Sequence, residues 1–301
     1  MTSSPAPTPS ERAQRQREVV QALSACVPQH ALLWQSEDTT PYECDGLTAY
    51  RQRPLVVCLP ETEDEVRAVL KTCHALQVPV VARGAGTGLS GGAMPHAMGV
   101  TLSLAKFNRI LDVDPVSRTA RVQCGVRNLA ISAAAAPYGL YYAPDPSSQI
   151  ACTIGGNVAE NSGGVHCLKY GLTVHNVLRV RGFTMEGEPV TFGSEALDAP
   201  GYDLLAAVIG SEGMLAVALE ATVRLIPSPQ LARCIMASFD DVRKAGDAVA
   251  AVIAAGIIPA GLEMMDKPMT AAVEDFVKAG YDLTAEAILL CESDGTPEEV
   301  E

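Results

Sequence analysis

Residues 80–92 read VVARGAGTGLSGG, in which three apolar residues lead into a glycine-rich stretch. Five of its thirteen residues are glycine, which lets the backbone adopt positive φ and approach a ligand closely. Successive amide N–H groups in such a loop form a concave site for an anion. The stretch is therefore typical of a phosphate cradle.

Gly86, Gly88 and Gly91 match the dinucleotide-binding pattern GxGxxG. The Rossmann form of this pattern requires a helix that begins at the loop and holds the diphosphate at its N-terminus. Here Pro95 and Gly99 interrupt the residues that follow, and the chain then resumes as a strand-like run. We therefore predict that the loop joins two strands and holds a diphosphate in another way.

Composition limits the classes of partner. The chain has 301 residues, of which 48% are hydrophobic and 19% are charged, as in globular proteins. Its net charge of −13 disfavours nucleic acid and anionic membrane surfaces as partners. The nine cysteines include no CxxC pair, which favours a reducing cytosol. No signal peptide, transmembrane segment or metal site is predicted, and residues 1–10 are expected to form a disordered tail.

The loop follows a predicted βαβ unit. Residues 55–59 (LVVCL) and 78–82 (VPVVA) are apolar strands, and Thr62 with Glu65 forms a capping box for the helix between them. Ligands of open α/β sheets bind at the carboxyl ends of strands, where this loop lies. Three further strands are predicted at residues 99–104, 109–113 and 118–123. A first α+β lobe is thus expected to end near residue 124.

Residues 144–171, PDPSSQIACTIGGNVAENSGGVHCLKYG, form a second conspicuous segment. It is rich in small and polar residues and shows little hydrophobic periodicity, so we predict an irregular segment. Long segments of this kind inside compact domains usually contact a ligand, and a purely structural loop is the alternative. A third group of small residues, GSEG at 210–213, lies between a predicted helix at 203–208 and a predicted strand at 214–226.

Three other regions complete the prediction. Residues 11–26 are expected to form a helix after Ser10 as N-cap, followed by a turn-rich covering strap. Residues 173–184 are expected to form one long strand. After residue 228 a second α+β unit begins, with strands at 234–239, 257–264 and 286–291 and helices at 240–255 and 267–279.

The order of the motifs resembles that of a known family. The segments that carry the resemblance are PLVVCLPETEDEV from Pro54, RGAGTGLSGG from Arg83, PDPSS from Pro144, CTIGGNVAENSGG from Cys152, HCLKYG from His166 and GSEG from Gly210. They resemble the FAD-linked oxidases of the p-cresol methylhydroxylase and vanillyl-alcohol oxidase type. Within that family they are similar to the FAD-linked subunits of bacterial glycolate oxidases, which are related to D-lactate and D-2-hydroxyglutarate dehydrogenases.

This resemblance, which covers roughly residues 38–301, implies an α+β fold in three parts. Residues 1–53 would form the N-terminal tail, helix and strap. Residues 54–228 would form a two-lobed FAD-binding domain, with lobes at 54–124 and 125–228. Residues 229–301 would begin an incomplete substrate or cap domain.

The resemblance also implies the FAD site. The first loop would wrap the diphosphate with its backbone amides, through Arg83, Gly84, Ala85, Gly86, Thr87, Gly88, Leu89, Ser90, Gly91 and Gly92. The second segment would line the flavin and ribityl side, through Pro144, Asp145, Ser147, Ser148, Cys152, Thr153, Gly155, Gly156, Asn157, Gly163, Gly164, His166, Tyr170 and Gly171. Glu212 and Gly213 would close on the adenosine half. Residues 83–92 lack the histidine that attaches flavin covalently in some relatives, so non-covalent FAD is predicted.

His166 and Lys169 are the candidate catalytic residues, and the assignment otherwise stays open. Oxidation of an alcohol requires a base that takes the hydroxyl proton while hydride passes to flavin N5. A lysine at this site would stabilise the negative charge of a substrate carboxylate or of the anionic reduced flavin. The alternatives are a structural histidine in the flavin wall, and a lysine that faces solvent or contacts the diphosphate.

The implied activity is FAD-dependent oxidation of a small 2-hydroxy acid, glycolate or D-lactate, to the 2-oxo acid. The implied partners are a second flavoprotein subunit and an iron–sulfur subunit. The implied location is the cytoplasm, and it stays open whether partners attach the protein to the inner membrane. Relatives carry a carboxylate-binding arginine and an HGxGNxH motif further along, so a fragment or a chain that needs a partner is expected. The alternatives are a non-catalytic FAD-binding subunit and an NADPH-dependent enolpyruvyl-sugar reductase of the same flavin fold.

Overall fold

The computed structural model describes residues 8–194 and 201–301, so most of the predicted disordered tail lies outside the described residues. The strands, in chain order, are β1 (Leu32–Leu33), β2 (Val56–Cys58), β3 (Val80–Arg83), β4 (Val100–Ser103), β5 (Ile110–Asp114), β6 (Thr119–Gln123), β7 (Leu140–Tyr141), β8 (Val177–Phe183), β9 (Pro189–Gly193), β10 (Val217–Arg224), β11 (Ile226–Pro227), β12 (Leu231–Phe239), β13 (Gly261–Asp266) and β14 (Ala287–Gly295). The helices are α1 (Pro9–Leu23), α2 (Ser36–Thr39), α3 (Glu63–Ala75), α4 (Asn128–Ala135), α5 (Ile154–Glu160), α6 (Cys167–Tyr170), α7 (Thr173–Asn176), α8 (Leu204–Val208), α9 (Val242–Ala254), α10 (Lys267–Val277) and α11 (Pro297–Val300). The α+β class predicted from the sequence is confirmed.

The first sheet has the order β1-β2-β4-β3. Strands β2 and β3 both pair with β4 in parallel, and β1 pairs with β2 antiparallel. The predicted βαβ unit is present, but β4 lies between its two strands. Because β3 and β4 run in parallel, the chain leaves the carboxyl end of β3 and must return to the opposite end of the sheet before β4 begins. The glycine-rich loop therefore lies at the carboxyl end of the sheet and joins two strands, as predicted.

Two capping boxes define the helices that pack on this sheet. Helix α3 begins after Thr62, whose Oγ1 accepts from the amide of Glu65 at 3.2 Å while the Glu65 carboxylate accepts from the amide of Thr62 at 3.3 Å. Such a cap contributes about 1 kcal/mol. Helix α1 begins one residue after its N-cap, Thr8, and not after the predicted Ser10, because Thr8 forms the equivalent box with Glu11.

The second sheet is antiparallel throughout, with the order β5-β6-β10-β8-β9. The β5–β6 hairpin turns where Oδ1 of Asp114 accepts from the amides of Val116 and Ser117, at 2.8 and 3.1 Å. Since β6 pairs with β10, this hairpin belongs to the second sheet. The lobe division predicted near residue 124 thus separates paired strands, and the outer domain limits stay predictions.

Two expectations between residues 144 and 184 are wrong in detail. The segment predicted as irregular contains helix α5, which begins where Oγ1 of Thr153 accepts from the amide of Gly156 at 3.3 Å. The predicted long strand begins only at Val177, because residues 173–176 form the single turn α7. The Asn176 side-chain amide holds that turn by donating to the carbonyls of Tyr170 and Leu172.

The third sheet has the order β12-β14-β13 and is antiparallel, with α9 and α10 in the same part of the chain. Strand β13 begins at Gly261, four residues after the predicted start at residue 257. Within residues 8–194 and 201–301, no helix combines the length and the apolar character needed to cross a bilayer.

Candidate functional site

A cavity of about 350 Å³ lies where the glycine-rich loop, helix α5 and the turn at 210–213 meet. The residues of the predicted site that line it are Arg83, Gly84, Ala85, Gly86, Thr87, Gly88, Leu89, Gly92, Ser147, Ser148, Cys152, Thr153, Gly155, Gly156, Asn157, Gly163, Glu212 and Gly213. The fold thus brings together three glycine-rich stretches that are far apart in the sequence.

The backbone of the loop is unusually free of internal hydrogen bonds. The amide N–H groups of residues 84–92 donate to no acceptor within the described ranges. Gly86 and Gly91 have φ of +72° and +85°, a region that glycine adopts without strain. Nine consecutive donors that are unpaired within the described ranges, most of them beside the cavity, suit a ligand with several acceptor oxygens.

Gly84 and Gly155 leave no room for a side chain, and Gly92 leaves room only if two glutamate carboxylates move. A Cβ on Gly92 would lie 2.7 Å from Oε1 of Glu160 and 2.9 Å from Oε2 of Glu212, and one on Gly155 would lie 2.7 Å from Cβ of Cys124. A Cβ on Gly84 would collide with Oγ1 of Thr153. The loop thus lies close to the start of helix α5 at Gly84, and helix α5 lies close to Cys124 at Gly155.

Arg83 supplies the positive charge of the site. Its side chain lines the cavity although the residue is only 8% exposed. Its guanidinium donates to the carbonyl of Ala93 at 3.3 Å and lies over the ring of Tyr42, 5.7 Å from the centroid. Burial lowers the pKa of Arg83, which the charge of Asp45 partly offsets. A desolvated cation whose single hydrogen bond within the described ranges is long is suited to pair with an anionic ligand.

Two carboxylates face the opposite side of the loop. Oε2 of Glu160 accepts from the Ser90 hydroxyl at 2.7 Å, and Glu212 reaches the same region from a residue with φ of +53°. Glu160 lies in the segment 144–171 but was not among the predicted site residues. On helix α5 it lies three residues after Asn157, so both side chains occupy the cavity face of the helix.

Other lining residues also escaped prediction. Five of them lie inside the motifs that carry the resemblance but were not named as site residues: Pro146, Val158, Ala159, Ser162 and Ser211. Seven lie outside those motifs: Ala82, Ala93, Leu104, Cys124, Val208, Ala216 and Ala218. The positions of these seven follow from the packing of the fold, which local sequence does not reveal.

The thiol of Cys152 lies in the cavity wall. Burial raises its pKa, although nearby hydrogen-bonding groups, first of all Ser148, partly oppose the shift. The thiol form is therefore favoured at neutral pH, and a thiol is a poor nucleophile compared with the thiolate. This residue is suited to packing against a ligand rather than to bonding it covalently.

His166 does not line the cavity. Its Nδ1 lies 2.6 Å from Oδ2 of Asp145, its amide donates to Oδ1 of Asp145 at 3.2 Å, and its Nε2 lies 3.4 Å from Oε2 of Glu292 on β14. Burial lowers the pKa of His166, but the hydrogen bond and charge of Asp145, with Glu292, outweigh it and leave the pKa raised. The ring thus links the second segment to the third sheet.

Lys169 and Tyr170 also bind the third sheet. The Lys169 ammonium donates to Oδ1 of Asp294 at 2.6 Å and to its carbonyl at 2.5 Å, and the Tyr170 hydroxyl donates to Oδ2 at 2.7 Å. Asp294 is only 5% exposed. Lys169 is therefore held by Asp294 and does not line the cavity, and its role stays a prediction.

The remaining predicted site residues lie behind the cavity wall or beside it. They are Ser90, Gly91, Pro144, Asp145, Gly164, Tyr170 and Gly171, together with His166 and Lys169 described above. Gly164 packs directly on the backbone of Asp145 and leaves no room for a Cβ. The roles of all these residues in cofactor binding stay predictions. Among residues 8–194 and 201–301, no group of three or more histidine, cysteine or acidic residues is placed to hold a metal ion.

Comparison with known proteins agrees with this geometry. Residues 54–193 match the family described as FAD binding domain, and residues 228–301 match the family described as FAD linked oxidases, C-terminal domain. The chain is 62% identical over 283 residues to the glycolate oxidase subunit GlcD of Escherichia coli (strain K12), which covers 94% of this chain and 57% of that protein.

The chain belongs to the FAD-linked oxidases.

Two further members of the comparison extend this result. A D-lactate dehydrogenase of Anaerostipes hadrus is 33% identical over 290 residues, covering 94% of this chain and 61% of that protein. The solved structure of p-cresol methylhydroxylase matches with a TM-score of 0.80 at 17% identity, covering 95% of this chain and 62% of that one. The predicted p-cresol methylhydroxylase type of fold is therefore confirmed. The chain spans about three-fifths of the length of these relatives.

The prediction of FAD as the cofactor is also confirmed. The residues present fit this group: the free amides of residues 84–92 and the buried guanidinium of Arg83 are donors for diphosphate oxygens. The absence of side chains at Gly84 and Gly92 lets the loop lie close to helix α5 and its N-cap.

Proposed function

We propose that this chain is the flavin-binding part of an FAD-dependent dehydrogenase that oxidises a small 2-hydroxy acid, glycolate or D-lactate, to the 2-oxo acid. The observation that carries the proposal is the row of nine amides beside Arg83 that have no acceptor in the described part of the chain. The names of the relatives, a glycolate oxidase subunit and a D-lactate dehydrogenase, support the substrate class.

The roles of the chain's own residues follow from their positions. Residues 84–92 would donate to the diphosphate oxygens, and the guanidinium of Arg83 would neutralise part of their charge. Thr153, Gly156 and Asn157, from the opposite wall, would exclude water from the cofactor. When bound, FAD supplies the acceptor for the hydride that leaves the α-carbon of the substrate.

The cofactor is proposed to be held without a covalent bond. Residues 83–92 contain no histidine, and the thiol of Cys152 is kept protonated by burial. Binding would then depend on hydrogen bonds, on charge and on exclusion of water. Removal of FAD by mild denaturation, followed by its recovery in the supernatant, is the expected behaviour.

The partners are proposed to be a second flavoprotein subunit and an iron–sulfur subunit that takes the electrons onward, in the cytoplasm. The support is that the E. coli relative is named as a subunit. A co-purification from cells that express tagged full-length protein would test this assignment. Recovery of the tagged chain alone, under conditions that preserve FAD, would contradict it.

A second candidate function is a non-catalytic FAD-binding subunit. It is favoured by the positions of His166 and Lys169, the candidate catalytic residues named above, whose side chains bind Asp145 and Asp294 and do not line the cavity. Such a chain would bind FAD tightly and still fail to oxidise a hydroxy acid by itself.

One experiment separates these functions. The purified chain is reconstituted with FAD, freed of excess cofactor by gel filtration and mixed anaerobically with glycolate, D-lactate, L-lactate or NADPH. Loss of the oxidised flavin absorbance with glycolate or D-lactate would support the proposed enzyme. Retained FAD that no hydroxy acid reduces would support the second candidate, and reduction by NADPH alone would indicate an enolpyruvyl-sugar reductase. A chain that retains no FAD would contradict the first two.

A further inference from the structure

Residues 42–47, a part of the predicted covering strap, pack against the back of the glycine-rich loop. From here on, the strap means these six residues. A Cβ on Gly46 would lie 2.8 Å from the carbonyl oxygens of both Thr87 and Gly88, so the backbone of the strap touches the backbone of the loop. The side chain of Leu47 lies 3.8 Å from the position of a Cβ on Gly91. The strap precedes the matched FAD-binding domain, which begins at residue 54.

This contact determines which way two loop amides point. In a trans peptide the C=O and the following N–H lie on opposite sides of the plane, and the described residues contain no cis peptide bond. The carbonyls of Thr87 and Gly88 face Gly46, so the N–H groups of Gly88 and Leu89 face away from the strap. Gly88 and Leu89 both line the cavity on that side.

The strap also holds the guanidinium of Arg83. The ring of Tyr42 lies under it, 5.7 Å from the centroid to Cζ. Asp45 is 5% exposed, its Oδ1 accepts from the amide of Leu47 at 2.9 Å, and its Oδ2 is buried with no partner in the described part of the chain. The strap thus places one ring and one buried carboxylate near a cation that lines the cavity.

We propose that the strap is part of the cofactor site, in which Gly46 orients the amides of the loop and Tyr42 positions Arg83 toward the diphosphate. The inference rests on the proposed FAD binding and adds positioning residues that lie outside the matched domain. Neither residue lines the cavity, so each acts through a neighbour. An intact strap would then be required for tight binding of FAD, although the matched domain begins after it.

The first test is Gly46→Ala. The methyl group would push the carbonyls of Thr87 and Gly88 away, and we expect the affinity for FAD to fall at least tenfold. Gly246→Ala is the matched control, because Gly246 lies in α9 with ordinary φ and a Cβ there would meet nothing within 4 Å. The dissociation constant is measured by titrating apoprotein into FAD and following flavin fluorescence.

A second pair of variants keeps the test decisive if Gly46→Ala does not fold. Tyr42→Leu removes the ring under Arg83, and Tyr42→Phe keeps it. We expect Tyr42→Leu to bind FAD several-fold more weakly with a shallower dependence on salt, because the guanidinium is no longer held near the diphosphate. Tyr42→Phe should bind like the wild type, and the two apoproteins should melt at the same temperature.

The outcomes separate this inference from the proposed function. Wild-type protein that fails to bind FAD would contradict the proposed function itself. Wild-type protein that binds FAD, together with equal binding and equal salt dependence in Tyr42→Leu and Tyr42→Phe, would overturn the role of the strap alone. A loss confined to Gly46→Ala and Tyr42→Leu would support it.

Discussion

The ammonium of Lys169 on α6 lies 2.6 Å from Oδ1 of Asp294 on β14, 125 residues further along the chain. The same carboxylate accepts from the hydroxyl of Tyr170 at 2.7 Å and is almost completely buried. A buried carboxylate that keeps both oxygens hydrogen-bonded is costly to disturb. This contact therefore joins the segment beside the cavity to the third sheet.

The first prediction concerns that contact. Asp294→Asn replaces the negative charge that Lys169 and Tyr170 share, and we expect a loss of about 1–3 kcal/mol in the free energy of unfolding. Glu286→Gln is the matched control, since its pair with Lys267 is 2.7 Å long but half exposed, and exposed pairs contribute less than about 1 kcal/mol. Urea unfolding of both variants measures the difference. Equal effects would contradict a stabilising role specific to Asp294.

The second prediction concerns the charge of Arg83. Arg83→Gln removes the buried cation from the cavity wall, and loss of a charge-assisted hydrogen bond is worth about 1.5–3 kcal/mol. We therefore expect the affinity for FAD to fall roughly 10- to 100-fold. Arg233→Gln is the control, because that side chain is 61% exposed and pairs only distantly with Glu301. Isothermal titration with FAD gives both constants, and a similar affinity in the two variants would exclude Arg83 from the site.

The third prediction separates backbone strain from cofactor binding. Gly86→Ala forces a left-handed φ of +72° on alanine and places a methyl group against the guanidinium of Arg83. Gly139→Ala meets the same strain at φ of +67° with no atom within 4 Å. Each should lose about 1–2 kcal/mol of stability from the backbone alone. Only Gly86→Ala should weaken FAD binding, as measured by flavin fluorescence; a matching loss in Gly139→Ala would indicate a global effect.

The fourth prediction is a pH dependence. The pKa of His166 in the folded chain is raised above its ordinary value of 6.5, because Asp145 and Glu292 outweigh burial. A histidine whose pKa is higher in the folded than in the unfolded chain stabilises the fold. This contribution is fully present below the pKa of the unfolded chain and is lost as pH rises through the pKa of the folded chain. The melting temperature of the wild type minus that of His166→Gln should therefore be largest below pH 6.5 and shrink at higher pH. A difference that grows with pH would contradict the raised pKa.

Short-range features of this fold were predictable from sequence. The capping box of Thr62 and Glu65 and the apolar face of α3 depend on neighbours within one helix, so local patterns reveal them. The loop at residues 84–92 was also predictable, because Pro95, just after the loop, excluded a Rossmann helix at that point. These features depend on contacts within a few residues of each other.

Other features required contacts that no local pattern contains. Helix α5 carries Gly155 and Gly156 near its start, and glycine costs about 1 kcal/mol in a helix. Packing of Ile154 and Val158 in the core overrides that preference. The pairing of β6 with β10 joins residues about a hundred positions apart. Glu160 was not among the predicted site residues. Its position beside the cavity depends on helix α5, which the two glycines disfavour.

The nine amides of residues 84–92, for which the described residues offer no acceptor, have a consequence for how the loop can be observed. An N–H group with no protein acceptor exchanges its proton for deuterium without any unfolding event. Each position along the loop thus reports independently on whether an acceptor covers it. Deuterium uptake, followed residue by residue with and without FAD, should slow only where a cofactor oxygen takes the proton, and the chain's own backbone then serves as the probe of its contacts.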